Sequence, residues 1–157
     1  MRNVLLISPH FPPDASAAAH RVRLLAPYLS KYGWQPTVLT CRSDAYEGQL
    51  DPELAAFVPG SLRVVRTAAW PARVTRRLGI GDLGLRSFWG LWREAAALCA
   101  RERFDAVFIT IFPSYTALLG PLLVRRFHVP FVLDYQDPWV SAWGAKVGGG
   151  VAGSVDL

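Results

Sequence analysis

Short runs of consecutive apolar residues, separated by stretches long enough to be helices, constrain this chain more than any other feature. Val4-Leu5-Leu6-Ile7 is apolar throughout, with no in–out alternation. Strands of this kind are covered on both faces, as in parallel sheets. Strands are expected at Asn3 to Ser8, Pro36 to Thr40, Ser61 to Thr67, Asp105 to Ile111 and Phe131 to Tyr135. A first helix, from about Ala17 to Tyr32, carries Val22, Leu25, Ala26 and Leu29 at helical spacing. Pro27 inside it should kink it or remove one backbone bond, and Gly33 is a good terminator. A second helix, Leu85 to Arg103, places Leu85, Phe88, Trp89, Trp92, Ala95, Ala96 and Cys99 on one face. Ser114 to Arg126 is a third. The polar stretch Arg42 to Gly60 has room for a short helix near Pro52 to Phe57, and Ala68 to Gly84 reads as a long excursion. Strands alternating with helices specify right-handed βαβ units, so the expected fold is α/β, a Rossmann-like doubly wound parallel sheet.

The length of 157 residues suits one domain with a real core. A hydrophobic fraction of 52% against 18% charged residues excludes a disordered chain. The longest strongly apolar pieces, such as Ala117 to Val124, fall far short of the roughly 20 residues that a membrane span needs. Ser8-Pro9-His10 cuts the first apolar run too short for a signal peptide, which makes the cytoplasm the expected location. Cys41 and Cys99 form neither a metal spacing nor a disulfide framework. The net charge of +5 is concentrated: Arg63 to Arg103 holds nine arginines against Asp82, Glu94 and Glu102. Such a patch suits an anionic surface or ligand. No helix-turn-helix, zinc or RNA-binding motif accompanies it, so nucleic acid is not an expected partner.

Ligands of open α/β sheets bind outside the carboxyl ends of the strands. Residues just after the strands are therefore the candidates. The loop after the first strand leads into a helix N-terminus, whose free amides and partial positive charge suit phosphate. Ser16 and Arg21 are the phosphate-binding candidates there; alternatively Asp14 or Ser16 simply caps the helix and Arg21 is solvated. The dinucleotide fingerprint Gly-x-Gly-x-x-Gly is absent, which argues against a nucleotide-dependent oxidoreductase. His10 sits at the same edge; His128 precedes a strand, on the opposite edge, and reads as structural. His20 is intermediate, and the three histidines lack metal-ligand spacing. After the fourth strand, Ser114 can cap a helix, contact a ligand, or both, with Tyr115 beside it. No Gly-x-Ser-x-Gly elbow makes Ser114 a nucleophile. Phe131 to Trp139 runs from an apolar strand into Asp134, then Asp137-Pro138-Trp139. Asp137 can bond local amides in a turn with Trp139 packed in the core. As a site, these carboxylates can accept hydrogen bonds from sugar hydroxyls or act as a base. Asp-x-Asp, a common device for holding a metal against diphosphate, occurs nowhere, so no metal is implied.

Taken together, these loops resemble the N-terminal half of a GT-B glycosyltransferase of the family 4 type. The resemblance rests on Val4 to Asp14, on Arg21, Leu25-Ala26-Pro27-Tyr28-Leu29 and Gly33, and on Thr37-Val38-Leu39-Thr40. Phe131 to Trp139 is similar to a Pro-x-Val-x-Asp-x-Arg-Asp-x-Trp segment of members that build bacterial surface polysaccharides. Two departures stand out. Alanines and a serine replace the glycines usual in the first loop, and Gln136 replaces the arginine before the second acid. The resemblance implies transfer of a sugar from a nucleotide donor to a glycan or lipid-linked acceptor, with retention, without a metal and without a bound cofactor. It implies Asp137 as the catalytic residue and Asp134, His10, Ser114 and Tyr115 as acceptor-binding residues. Residues 1–143 would form the N-terminal domain, with 144–157 a glycine-rich tail towards a second Rossmann domain that supplies most of the donor site. On that reading the chain by itself is inactive. Trp70, Trp89 and Trp92, interleaved with arginines, could rest peripherally on the inner face of an anionic membrane; helical spacing alternatively makes them core and the arginines a solvated face. The competing function is a non-catalytic binding module or the partner subunit of a split glycosyltransferase.

Overall fold

The computed structural model describes residues 1–135. Five strands form one sheet in the order β3-β2-β1-β4-β5, every neighbouring pair parallel. The strands are β1 (Arg2–Ile7), β2 (Trp34–Cys41), β3 (Arg63–Thr67), β4 (Ala106–Thr110) and β5 (Phe131–Asp134). The helices are α1 (Ala17–Leu29), α2 (Pro52–Ala56), α3 (Ala72–Thr75), α4 (Leu83–Arg101) and α5 (Leu119–Phe127). The α/β doubly wound architecture expected from the apolar runs is the one observed.

Period-two strands divide the core between two faces. Leu5 and Ile7 pack with Leu39, Val107 and Ile109 under α4 and α5, while Val4 and Leu6 pack with Val38 under Val22 and Ala26 of α1. Each fully buried leucine or isoleucine contributes about 1.5–3 kcal/mol, so the doubly covered β1 and β2 anchor the fold. The α1 face is less complete. Over β4 and β5 it leaves Phe108 half-buried and Val132 exposed beside Leu25, Leu29 and Trp34.

Local chemistry sets the boundaries. Helix α1 persists through Pro27, tightens into a 3-10 turn at Ser30–Tyr32 and stops at Gly33, whose φ of 80° suits a residue without Cβ. Strand β2 starts at Trp34, two residues earlier than expected, because β1 pairs with it from Arg2. Pro36 is tolerated since β3 joins only from Thr37. The excursion 68–84 contains α3 and a 3-10 turn at Arg76–Leu78.

Helix α4 departs most from expectation. It begins at Leu83 because Asp82 Oδ1 accepts from the Leu85 amide at 2.8 Å, a side-chain N-cap. Its buried meridian runs through Arg86, Ser87, Leu91, Ala95 and Leu98, with Phe88, Trp92 and Cys99 partly buried beside it. Leu85 and Trp89 face solvent, as does Trp70. The expected stripe was thus too wide, and the reading of the tryptophans as core fails for Trp70 and Trp89. Arg86 is the physical reason. Its guanidinium meets the carbonyls of Gly81 (3.3 Å), Trp70 (2.9 Å) and Ala45 (3.0 Å) and Glu47 Oε2 (3.2 Å), so a cation occupies a core position with its donors satisfied.

Candidate functional site

The strand order reverses between β1 and β4, and the carboxyl edge of the sheet at such a switch point is where open α/β sheets receive ligands. Buried hydroxyls line that edge. Thr110 Oγ1 donates to Ser8 Oγ (3.2 Å), Ser8 Oγ to the His10 carbonyl (2.7 Å) and Thr40 Oγ1 to the Pro9 carbonyl (3.1 Å). Tyr46 donates to the carbonyls of Pro9 and Cys41, both at 3.1 Å, and burial pushes its phenol up to about 12, so it remains a donor. Arg66 holds the Pro12 carbonyl at 2.6 Å and lies over the buried Phe11 ring. The first loop is therefore fixed from β2, β3 and β4 before any ligand arrives.

On that frame the loop builds a compact polar cluster. His10 Nδ1 and Asp14 Oδ2 are 2.5 Å apart, Ser16 Oγ donates to the same oxygen at 2.8 Å, and the Ser16 amide donates to Oδ1 at 3.0 Å. Burial works to raise the Asp14 pKa. The bonds from His10 and Ser16, with the charge of His10, outweigh it and leave the carboxyl below its ordinary value. An ionised carboxylate can only accept, so the proton in the His10–Asp14 bond sits on Nδ1 and Nε2 remains for a further partner. The imidazole stacks on Tyr46 at 5.9 Å and tilts against Phe112 at 5.9 Å, which orients it between the ends of β2 and β4.

The second element of the site is an ion pair. Arg21 Nε lies 3.0 Å from Asp134 Oδ2, joining α1 to the end of β5. The contact is close but not aligned as a hydrogen bond, and Asp134 Oδ2 is buried without a hydrogen-bond donor. The Arg21 charge offsets its burial, and the carboxylate can still accept a hydrogen bond from a ligand hydroxyl.

The structure thus brings Ser16 into contact with Asp14 and beside His10, and joins the expected phosphate ligand Arg21 to the expected acceptor ligand Asp134. Ser16 occupies the N-cap position of α1 without a side-chain cap bond. Ser114 and Tyr115 are exposed at the start of a 3-10 turn, Ser114–Leu118. The expected cap by Ser114 is not made. Thr116 Oγ1 instead donates to the Thr110 and Pro113 carbonyls, both at 2.8 Å. Asp137 and Trp139 lie outside the described residues, as does the 144–157 tail. His128 closes α5 at φ 56°, away from the site, consistent with a structural role. Sequence reading missed Tyr46 and took Asp14 only as a cap, although its i,i+4 spacing from His10 was visible. Among the described residues no group of three or more His, Cys, Asp or Glu side chains converges on a common point, and no helix is long and apolar enough to cross a membrane.

Comparisons with known proteins agree with this architecture. The C-terminal domain of a hydrogenase from Pyrococcus furiosus superposes with a TM-score of 0.52 at 17% identity, covering 85% of this chain and 91% of that one, a likeness of fold alone. No curated protein matches significantly. The family described as glycosyl transferase 4-like domain matches residues 16–155, which include α1, β5 and both acids of the Asp134–Asp137 segment but not His10 or Asp14. The chain belongs to the glycosyl transferase 4-like domain family.

Proposed function

We propose that this chain forms the acceptor-side wall of a glycosyltransferase that moves a sugar from a nucleotide donor to a hydroxyl of a glycan or lipid-linked acceptor, with retention and without a metal. The observation that carries this reading is the buried Oδ2 of Asp134 at the carboxyl edge of β5, ion-paired with Arg21 but without an aligned hydrogen-bond donor. It suits a neutral ligand that brings a hydroxyl donor, as a sugar does. His10, held by Asp14 and aromatic rings, offers Nε2 to a second hydroxyl. Asp137, three residues past Asp134, is the proposed catalytic carboxylate, with Ser114 and Tyr115 along the acceptor path.

Arg21 pairs with Asp134 through Nε and is half-exposed, which suits a guanidinium that also meets a donor diphosphate near the α1 N-terminus. Charge developing on the leaving diphosphate would be stabilised there without reorganisation. Metal independence is supported by the absence of Asp-x-Asp from the sequence. Retention is supported by the family resemblance, and most of the donor site would come from a second Rossmann domain.

The test is transfer of label from a panel of nucleotide sugars to soluble and lipid-extracted acceptors by the full-length protein, with and without a chelator. Asp134→Asn should raise the acceptor KM about tenfold or more, the worth of one charge-assisted hydrogen bond, and leave the donor KM nearly unchanged. Donor binding without turnover on any acceptor would support the binding-module alternative. An unchanged acceptor KM would remove Asp134 from the site.

A further inference from the structure

The loop after β1 holds one more partner than its turn requires. At the start of α1 the Ser16 amide donates to Asp14 Oδ1 (3.0 Å) and the Ser16 hydroxyl to Oδ2 (2.8 Å), which completes the local turn. His10 Nδ1, 2.5 Å from Oδ2, is added to a carboxylate that already has two donors. The Asp14 side chain is 3% exposed and that of His10 17%, so the carboxylate is the inner member of the pair and the imidazole the outer one. A neutral amide would brace the loop as well without the cost of burying a charge.

The remaining contacts of His10 fix its main chain and its ring. Ser8 Oγ, which accepts from Thr110 of β4, donates to the His10 carbonyl. Tyr46 stacks on the imidazole with the planes 16° apart, and Phe112 leans against it at 39°. Only Nε2 is unused. No described residue bonds it, and it is not among the buried atoms that lack a partner.

The electrostatics give that open nitrogen a direction. Burial raises the Asp14 pKa, yet the bonds from His10 and Ser16 prevail and the carboxyl stays ionised. An ionised Asp14 keeps the proton on Nδ1, leaves the lone pair on Nε2 and stabilises the imidazolium that forms when Nε2 takes a proton. A general base needs this combination. Tyr46 cannot share the task, because burial pushes its phenol up to about 12. Ser16 commits both its amide and its hydroxyl to Asp14, which leaves the diphosphate to Arg21.

We propose that His10 is the base that takes the proton of the acceptor hydroxyl during sugar transfer, with Asp14 and Ser16 as positioning residues that hold its tautomer. This rests on the transferase reading and deepens it by giving the proton a destination. The acceptor O–H bond breaks, its proton passes to Nε2, and its oxygen forms the bond to the anomeric carbon. The bond from that carbon to the donor diphosphate breaks, and the electron pair leaves with the diphosphate. Asp14 balances the imidazolium until the proton passes to water; nothing is oxidised or reduced.

The test uses the full-length protein with the same panel of labelled nucleotide sugars and acceptors. His10→Asn keeps an amide donor for Asp14 in place of Nδ1 but lacks Nε2, so it should fold and lose at least about 100-fold in kcat. Asp14→Asn should lower kcat about tenfold or more while the acceptor KM stays within about threefold, a split that a damaged binding surface would not give. Added imidazole should raise the turnover of His10→Gly at least about tenfold, which no structural role predicts. Circular dichroism checks each fold; if His10→Gly unfolds, His10→Asn decides. Nitrogen NMR without any ligand, at a pH where the imidazole is neutral, should find the His10 proton on Nδ1 in the wild type. A proton on Nε2 overturns the proposal whatever the turnover. So does a His10→Asn variant that keeps more than about a tenth of the wild-type kcat, or a folded His10→Gly that imidazole does not rescue; either would return the proton to a carboxylate such as Asp137. A wild type that transfers sugar while His10→Asn does so equally well removes the base alone. A wild type that transfers to no acceptor removes the transferase reading and the base with it.

Discussion

Arg21 on α1 and Asp134 at the end of β5 face each other across 3.0 Å, spanning the switch point where the strand order reverses. The pair is asymmetric: Arg21 is half-exposed, while Asp134 Oδ2 is buried and lacks an aligned donor. Solvent screening at the arginine limits the pair to about 0.5–1 kcal/mol of stability. A double-mutant cycle with Arg21→Met and Asp134→Asn, followed by urea unfolding, should return a coupling in that range. A coupling near 3 kcal/mol would make the pair a structural lock instead of a ligand-ready contact.

The Asp14 cluster predicts an acid limb. Burial opposes the charge on Asp14, yet its bonds to His10 and Ser16 hold the carboxyl below the ordinary value of 3.8. A depressed folded-state value contributes stability that is present above the unfolded value and lost as pH falls through the folded one. Stability of the wild type should therefore drop below about pH 4, and Asp14→Asn should flatten that part of the curve. Thermal unfolding midpoints measured from pH 6 downward check this. An identical acid slope in the variant would show that the cluster does not depend on the ionised carboxylate.

Strands were legible in the sequence because a buried parallel strand needs apolar residues on both faces, and Val4 to Ile7 or Thr37 to Leu39 can do little else. The carboxyl-edge loops followed from topology. What escaped reading depends on partners distant in sequence. Nothing near Arg86 announces that Ala45, 41 residues earlier, will supply a carbonyl to it. A polar residue was therefore assigned to the solvent face, and the helix stripe was drawn towards Trp89. Tyr46 escaped for the same reason, since its work is done on Pro9, 37 residues away. His10 and Asp14 were each visible; their pairing depends on how the loop turns.

Arg86 should be the most sensitive polar residue in the molecule. Replacing it with methionine preserves bulk but leaves the carbonyls of Ala45, Trp70 and Gly81 without their donor. Loss of a buried, hydrogen-bonded cation of this kind costs about 3–5 kcal/mol. Arg86→Lys should recover little, because one ammonium cannot reproduce a planar fork that reaches three loops. Urea midpoints for the two variants measure this. A methionine variant within about 1 kcal/mol of wild type would place the organisation of the excursion elsewhere.

Glycines give a cleaner test of close packing, because one added methyl group probes one contact. At Gly90 of α4 a Cβ would fall 2.6 Å from the Ala68 carbonyl and from Thr67 Oγ1, so backbone as well as side chain must move. At Gly120 of α5 it would meet the Phe131 ring at 2.5 Å, a side chain that can shift only by disturbing the edge of β5. Alanine is the better helix former by roughly 1 kcal/mol, which partly offsets the clash. Overpacking of this kind costs about 1–3 kcal/mol. Gly90→Ala should therefore destabilise by up to about 2 kcal/mol net, with Gly120→Ala smaller, because a ring yields more readily than a carbonyl. Gly48, with open space around it, serves as the control and should tolerate alanine within about 0.5 kcal/mol. Chemical unfolding of the three variants orders the contacts. If Gly90→Ala is as stable as Gly48→Ala, then α4 does not press on the 67–68 segment.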